Sequence, residues 1–168
     1  MNVLVVDGYN IIGAWEDLQQ LKDIEMGQAR DKLIEKMAEY QVHTGDRVII
    51  VFDAYYVRGV ESKLKRSNLE IIFTREKETA DECIERLVKG LKNVRNQVYV
   101  ATSDYAEQRT IFGRGALRIS ARELQIELDN MQREISESIE NHKKIKPQRS
   151  IILDEDVLEV FEKWRRGH

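Results

Sequence analysis

Four short stretches of this chain are apolar almost without interruption: Asn2–Asp7 (NVLVVD), Arg47–Phe52 (RVIIVF), Leu69–Thr74 (LEIIFT) and Gln97–Ala101 (QVYVA). A strand with one wet face alternates apolar and polar residues; a strand buried on both faces does not. Segments with helical spacing lie between them. In Met26–His43, residues Ala29, Leu33, Met37 and Tyr40 recur at intervals of three and four, and Gly45 is placed to end the helix. Thr79–Leu91 opens with a capping box, Thr79 with Glu82, and a further helix is predicted from near Asp104. Doubly buried strands alternating with helices imply a parallel sheet with helices on both faces. The predicted fold class is therefore α/β and Rossmann-like.

The last third reads differently. Ser120–Asn141 forms one long helical pattern, opened by Ser120 and Glu123 as a second capping box. Lys143–Arg149 is a basic loop holding the only proline, Ile151–Leu153 a short strand, and Asp154–Arg166 a final helix with Val157, Leu158, Phe161 and Trp164 on one side. One proline and nine glycines in 168 residues leave no room for a flexible linker. We expect a single domain over 1–168, with 120–168 as a helical C-terminal extension.

Several classes are disfavoured. No run approaches the ~18 apolar residues of a membrane span, and the N-terminus enters a strand without the basic lead-in of a signal peptide. Cys83 has no second cysteine to bridge to, which with the other features points to a cytoplasmic protein. His43, His142 and His168 are scattered, so no zinc constellation exists. A net charge of −3 argues against non-specific coating of nucleic acid, while leaving room for local basic patches.

The strands end on acids. Asp7 and Asp53 terminate theirs directly, Asp104 follows the fourth strand after Thr102 and Ser103, and Asp81 lies in the first turn of the helix after the third. In an open parallel sheet these positions share the carboxyl edge, where ligands bind. Converging carboxylates remain ionised together only around positive charge, and all-oxygen ligands suit Mg²⁺ or Mn²⁺. Such a centre can activate water for displacement at phosphorus. Gly8 lets the backbone turn close to a ligand, and Asn10 offers both a donor and an acceptor. Each acid also admits a purely structural role: Asp81 as a first-turn acid, Asp104 as an N-cap with Glu107, Asp53 as the start of a turn.

An acidic centre needs positive borders to admit a phosphate backbone. Arg109, Arg114, Arg118 and Arg122 follow Asp104 with only Glu107 among them; Lys143, Lys144, Lys146 and Arg149 form another cluster. Arg58, Lys63, Lys65 and Arg66 occupy a predicted loop between strands, and Lys163, Arg165 and Arg166 end the chain. Tyr9, Tyr55, Tyr56 and Tyr105 follow strand ends and could stack on bases.

VLVVDG with an acid near position 53 resembles a response-regulator receiver, but Gly8 stands where a second acid belongs and Asp81 has no part in that scheme. VDGYN (Val6–Asn10), VFDA (Val51–Ala54), TADE (Thr79–Glu82) and ATSDY (Ala101–Tyr105) together resemble the NYN domain, a branch of the PIN-like nucleases. FGRGALRISAREL (Phe112–Leu124) and FEKWRRG (Phe161–Gly167) extend that likeness to the bacterial YacP-type NYN proteins, over almost the whole chain. The resemblance implies a PIN-like fold and a metal-dependent endoribonuclease that cleaves mRNA during translation, in the ribosomal A site. By the same likeness Asp7 and Asp81 are the core catalytic acids, supported by Asn10, with Asp53 and Asp104 completing a Mg²⁺ or Mn²⁺ site. The alternative is a non-catalytic RNA- or ribosome-binding module with a relict acidic site.

Overall fold

The computed structural model describes residues 1–54, 63–66, 69–75, 77–93, 95–103 and 115–144; for 63–66 and 142–144 only the backbone is described. Six strands form one sheet: β1 (Asn2–Asp7), β2 (Arg47–Phe52), β3 (Lys63–Arg66), β4 (Leu69–Phe73), β5 (Gln97–Ala101) and β6 (Leu117–Ile119). Their spatial order is β3-β4-β2-β1-β5-β6. All neighbours pair in parallel except β3, which lies antiparallel on the edge of β4. The parallel α/β expectation therefore holds for five strands. The expectation of a loop at Lys63–Arg66 does not: KLKR carries no apolar pattern, yet its backbone pairs with Leu69–Ile72.

The helices are α1 (Gly8–Ala14), α2 (Glu16–Ile24), α3 (Met26–Thr44), α4 (Ala80–Leu91) and α5 (Ala121–Lys144). The chain crosses from β1 to β2 through α1–α3, then from β4 back past β1 to β5 through α4. Right-handed crossovers running in opposite directions place their helices on opposite faces. The core divides accordingly. On one face Leu4, Val6, Ile50 and Phe52 meet Ile11, Ile12, Leu33 and Met37; on the other Val3, Val5, Ile49 and Val51 meet Cys83, Ile84 and Val88. Alternate residues of β1 thus feed two cores, which is why its sequence is apolar throughout.

Helix boundaries follow local chemistry. The Thr79 hydroxyl accepts from the Glu82 N–H at 3.2 Å, as its capping pattern requires, and Gly45 ends α3 with a left-handed φ of 73°. Ser120 caps α5 through the Glu123 N–H at 3.0 Å, while the Glu123 carboxylate accepts from the Ser120 hydroxyl rather than from its backbone. α5 continues to Lys144, so Lys143 and Lys144 belong to its last turn and not to a loop. Two further differences lie at the start of the chain. Gly8 opens a helix instead of a turn, and α1 and α2 were hidden because Trp15, extended between them, splits their pattern.

Trp15 also joins two parts of the molecule. It is buried, and its indole N–H donates to the Ala121 carbonyl at 2.8 Å, across 106 residues of sequence. Leu124, Leu128 and Met131 continue the contact along the buried side of α5. Trp15→Phe keeps an aromatic ring but deletes the donor and part of the volume. We expect it to lower stability by about 1–3 kcal/mol in urea unfolding, with the m-value unchanged.

Candidate functional site

The order of the strands creates a cleft at their carboxyl ends. From β1 the chain leaves toward β2, whereas β6 lies on the far side of β5. Departures in opposite senses leave a crevice between β1 and β5, the usual ligand position in such sheets. Val6 pairs with Ala101, so Asp7 and Thr102 come next at the mouth of that crevice. Asp7 is buried at 7% exposure, and its carboxylate makes no capping bond to α1.

Asn10, one turn into α1, spans the crevice. Its Oδ1 accepts from the Ser103 backbone N–H at 2.6 Å and from the Ser103 hydroxyl at 2.8 Å. Two donors at one atom identify it as the amide oxygen and leave the amide NH₂ as the half able to donate to a ligand. The predicted supporting role of Asn10 thus acquires a partner, Ser103, which the sequence did not single out.

On the other side of β1, Asp7 pairs in register with Val51, two residues before Asp53. The Asp53 carboxylate accepts from the Ala80 N–H at 3.4 Å, at the first residue of α4, and Asp81 is the next residue and exposed. Thr74 fixes the intervening backbone: its buried hydroxyl accepts from the Ala54 N–H at 2.8 Å, and its own N–H donates to the Phe52 carbonyl at 3.0 Å. Asp53 and Asp81 are therefore both placed at the start of α4, beside the strand that ends in Asp7. Among the described residues no three acids, histidines or cysteines group closely enough to enclose a metal. Asp104 lies outside the described residues, as do the helix predicted to follow it and Tyr55, Tyr56 and Tyr105.

The basic residues divide. Arg118, half-buried on β6, donates through Nε to the Thr102 carbonyl at 3.1 Å, which places it at the crevice; Arg122 is exposed in the first turn of α5. Lys143 and Lys144 lie at the opposite end of the same helix, some 32 Å along its axis at ~1.5 Å per residue. Among the described residues, Arg122 and the Lys143–Lys144 pair therefore cannot form one patch. Arg109, Arg114, Lys146, Arg149, Arg58 and the strand and helix expected over 151–166 lie outside the described residues.

A cleft of about 450 Å³ occupies the other edge of the sheet, between α3 and α5, lined in part by Asn2, Tyr40, Asp46, Tyr99 and Glu127. Burial, with the Glu127 carboxylate beside it, pushes the Tyr40 hydroxyl above the ordinary tyrosine range. This cleft is at the strand starts and separate from the acids.

Comparison with known proteins agrees with the geometry. A family model described as the YacP-like NYN domain matches residues 4–166. The chain belongs to this family. YacP of Bacillus subtilis strain 168, itself described as uncharacterized, is 54% identical over 167 residues, covering 99% of this chain and 98% of that protein. The crystal structure of Rae1 (YacP) from Bacillus subtilis aligns over 99% of this chain and 96% of that one, with 54% identity and a TM-score of 0.76. Its W164L mutant aligns with a TM-score of 0.78 at 51% identity, with the same coverage. Among the described residues of this YacP-like chain, no helix is long and apolar enough to cross a membrane.

Gly8 holds this NYN site together by having no side chain. A Cβ there would enter the Phe52 ring and stand 3.0 Å from the Val51 carbonyl oxygen. Both neighbours belong to a central strand and cannot swing aside. We expect Gly8→Ala to cost about 1–3 kcal/mol in thermal or urea unfolding, and to perturb Asp7 and Asn10 on either side of it.

Proposed function

We propose that this chain is a divalent-metal-dependent endoribonuclease that cuts mRNA during translation, in the ribosomal A site. Membership of the YacP-like NYN family supports the coarser part of this, a nuclease-type role in RNA processing. The observation that supports a catalytic centre is the crevice between β1 and β5, where buried Asp7 lies beside an Asn10 already tied to Ser103; the ribosomal part rests on the likeness to YacP-type proteins.

The donor chemistry fits a hard cation, because the acids at this edge are all carboxylates. Asp7 and Asp81 would hold Mg²⁺ or Mn²⁺, with Asp53 and Asp104 completing the set. When bound, such an ion supplies an activated water and neutralises charge at phosphorus. The chain's own groups bind and orient. The Asn10 amide donates to a phosphate oxygen, and Ser103 prevents it from rotating. Arg118 borders the crevice with positive charge, anchored on Thr102. Asp53, receiving the Ala80 N–H, fixes the start of α4 and with it the position of Asp81.

The net charge of −3 suits a nuclease that relies on a large partner to present its substrate. Arg109, Arg114, Arg118 and Arg122, with Lys143, Lys144, Lys146 and Arg149, are the proposed contacts to RNA and ribosome. A cytoplasmic setting follows from that partner.

Asp7→Asn and Asp81→Asn preserve shape and remove charge. We expect each to reduce cleavage by roughly 100-fold or more, with thermal stability equal or higher in metal-free buffer because acid–acid repulsion is relieved. The assay is purified protein with Mn²⁺ acting on a translated mRNA and on the same mRNA naked. Wild-type rates in either variant refute the assigned roles; equal cutting of naked and translated mRNA refutes dependence on the ribosome.

A further inference from the structure

Arg30 was not among the sequence candidates, yet its surroundings distinguish it. It lies half-buried in the second turn of α3. α3 returns the chain to the start of β2, so its own start is at the carboxyl edge, with the acids. The Arg30 Nη1 donates to the Tyr9 hydroxyl at 3.1 Å. Tyr9 is the residue between Gly8 and Asn10 in DGYN.

The tyrosine is a rigid anchor. Its ring tilts against Phe52, centroids 5.1 Å apart at 56°, and Phe52 stacks on Phe73 at 5.5 Å and 25°. Tyr9 is the second residue of α1, and Phe52 and Phe73 end β2 and β4, so its ring is held at the sheet edge by residues of three different elements. A tyrosine hydroxyl is neutral and occupies one of five guanidinium donors. Among the described residues no carboxylate lies within ion-pair distance of Arg30. Arg47, by contrast, meets Glu70 at 2.7 Å, and Arg86 meets Glu78 at 3.2 Å. Glu25, at the N-cap of α3, accepts instead from Gln28 at 3.3 Å. Among the described residues Arg30 is therefore a cation held in place with no carboxylate in ion-pair contact, the nearby Glu25 being turned to Gln28, and partial burial strengthens its field at the sheet edge.

We propose that Arg30 binds a backbone phosphate of single-stranded RNA on the β2–β4 flank of the cleft, with Tyr9 as its positioning residue. The assignment rests on the nuclease reading for its substrate. Asn10 and Arg118 border the strand on the β5 side and Arg30 on the other, so the RNA crosses the end of β1 over Asp7. A guanidinium gripped at one corner keeps its remaining donors for the two-pronged contact that phosphate oxygens accept.

The test is fluorescence anisotropy with a short fluorescein-labelled single-stranded RNA and the full chain carrying Asp7→Asn, over salt from about 20 to 300 mM. Adding Arg30→Gln should weaken binding ~3–10-fold at the lowest salt and reduce the slope of log affinity against log salt by ~0.7, one phosphate on a single strand. Arg30→Lys should restore the slope and part of the affinity. Tyr9→Phe should leave the slope intact and weaken binding ~2–3-fold, because the charge remains but its anchor is gone. Arg30 acting only in structure predicts a lower melting temperature with an unchanged slope; that result, or no measurable binding by the Asp7→Asn reference, overturns the proposal. Tyr9→Phe binding equal to the reference removes the positioning role. The nuclease reading is judged separately, by cleavage with Mn²⁺. Asp7→Asn that still cuts defeats that reading even where the Arg30 slope changes, and a silent Arg30→Gln beside an inactive Asp7→Asn defeats this one alone.

Discussion

The Phe52 ring lies where a side chain on Gly8 would be, and the Val51 carbonyl closes the same space from beside it. That contact lets β1 pass into α1 with no intervening loop. The three residues that follow the strand are then distributed by helix geometry, at about 100° per residue. Tyr9 falls toward β2 and packs on Phe52, while Asn10 turns to β5 and receives Ser103. Asp7 remains between them, buried at the strand end. A loop of even a few residues there would leave each of these side chains free to wander. The opening DGYN is thus a geometric device in which glycine sets the distance and its neighbours divide the edge.

What the sequence made legible follows from which forces act locally. β1, β2, β4 and β5 were readable because burial on both faces forces continuous apolar runs. β6 was not: Leu117–Ile119 is three residues with an arginine at its centre, and it is a strand only because Tyr99–Ala101 lies beside it. β3 was missed for the same reason, its KLKR being held by β4. Capping chemistry located the starts of α4 and α5 to the residue, since Thr79 and Ser120 act on neighbours three positions away. The placement of Asp7, Asp53 and Asp81 at one edge was legible from the rule that parallel strands end on one edge. Ser103 and Arg30 were not, because Asn10–Ser103 spans 93 residues and Tyr9–Arg30 spans 21. No local pattern encodes contacts of that length.

Charge is organised along α5 as much as around the crevice. Arg122 at its start and Lys143 at its end are held apart by a helix whose middle carries Glu127, Asp129, Glu134, Glu137 and Glu140, with Arg133 among them. A polyanion would be attracted more by the two ends of α5 than by its largely acidic middle. Exposed pairs such as Lys36–Asp17 at 3.1 Å add little to stability, so surface charge here acts mainly on encounter.

β1 is the first strand in the chain and stands at the centre of the sheet, between β2 and β5. Its two edges are closed at very different times during synthesis. Arg47–Phe52 covers one, but the other must wait for Gln97–Ala101. From Asp7 to Ala101 is 94 residues, which at about 5–20 residues per second is roughly 5–20 s. For that interval the nascent chain carries a strongly apolar strand with open hydrogen-bonding groups, the kind of edge that recruits other chains. The strand that ends in Asp7 is thus finished late, and until Gln97–Ala101 is made one of its two edges has no partner within the sheet.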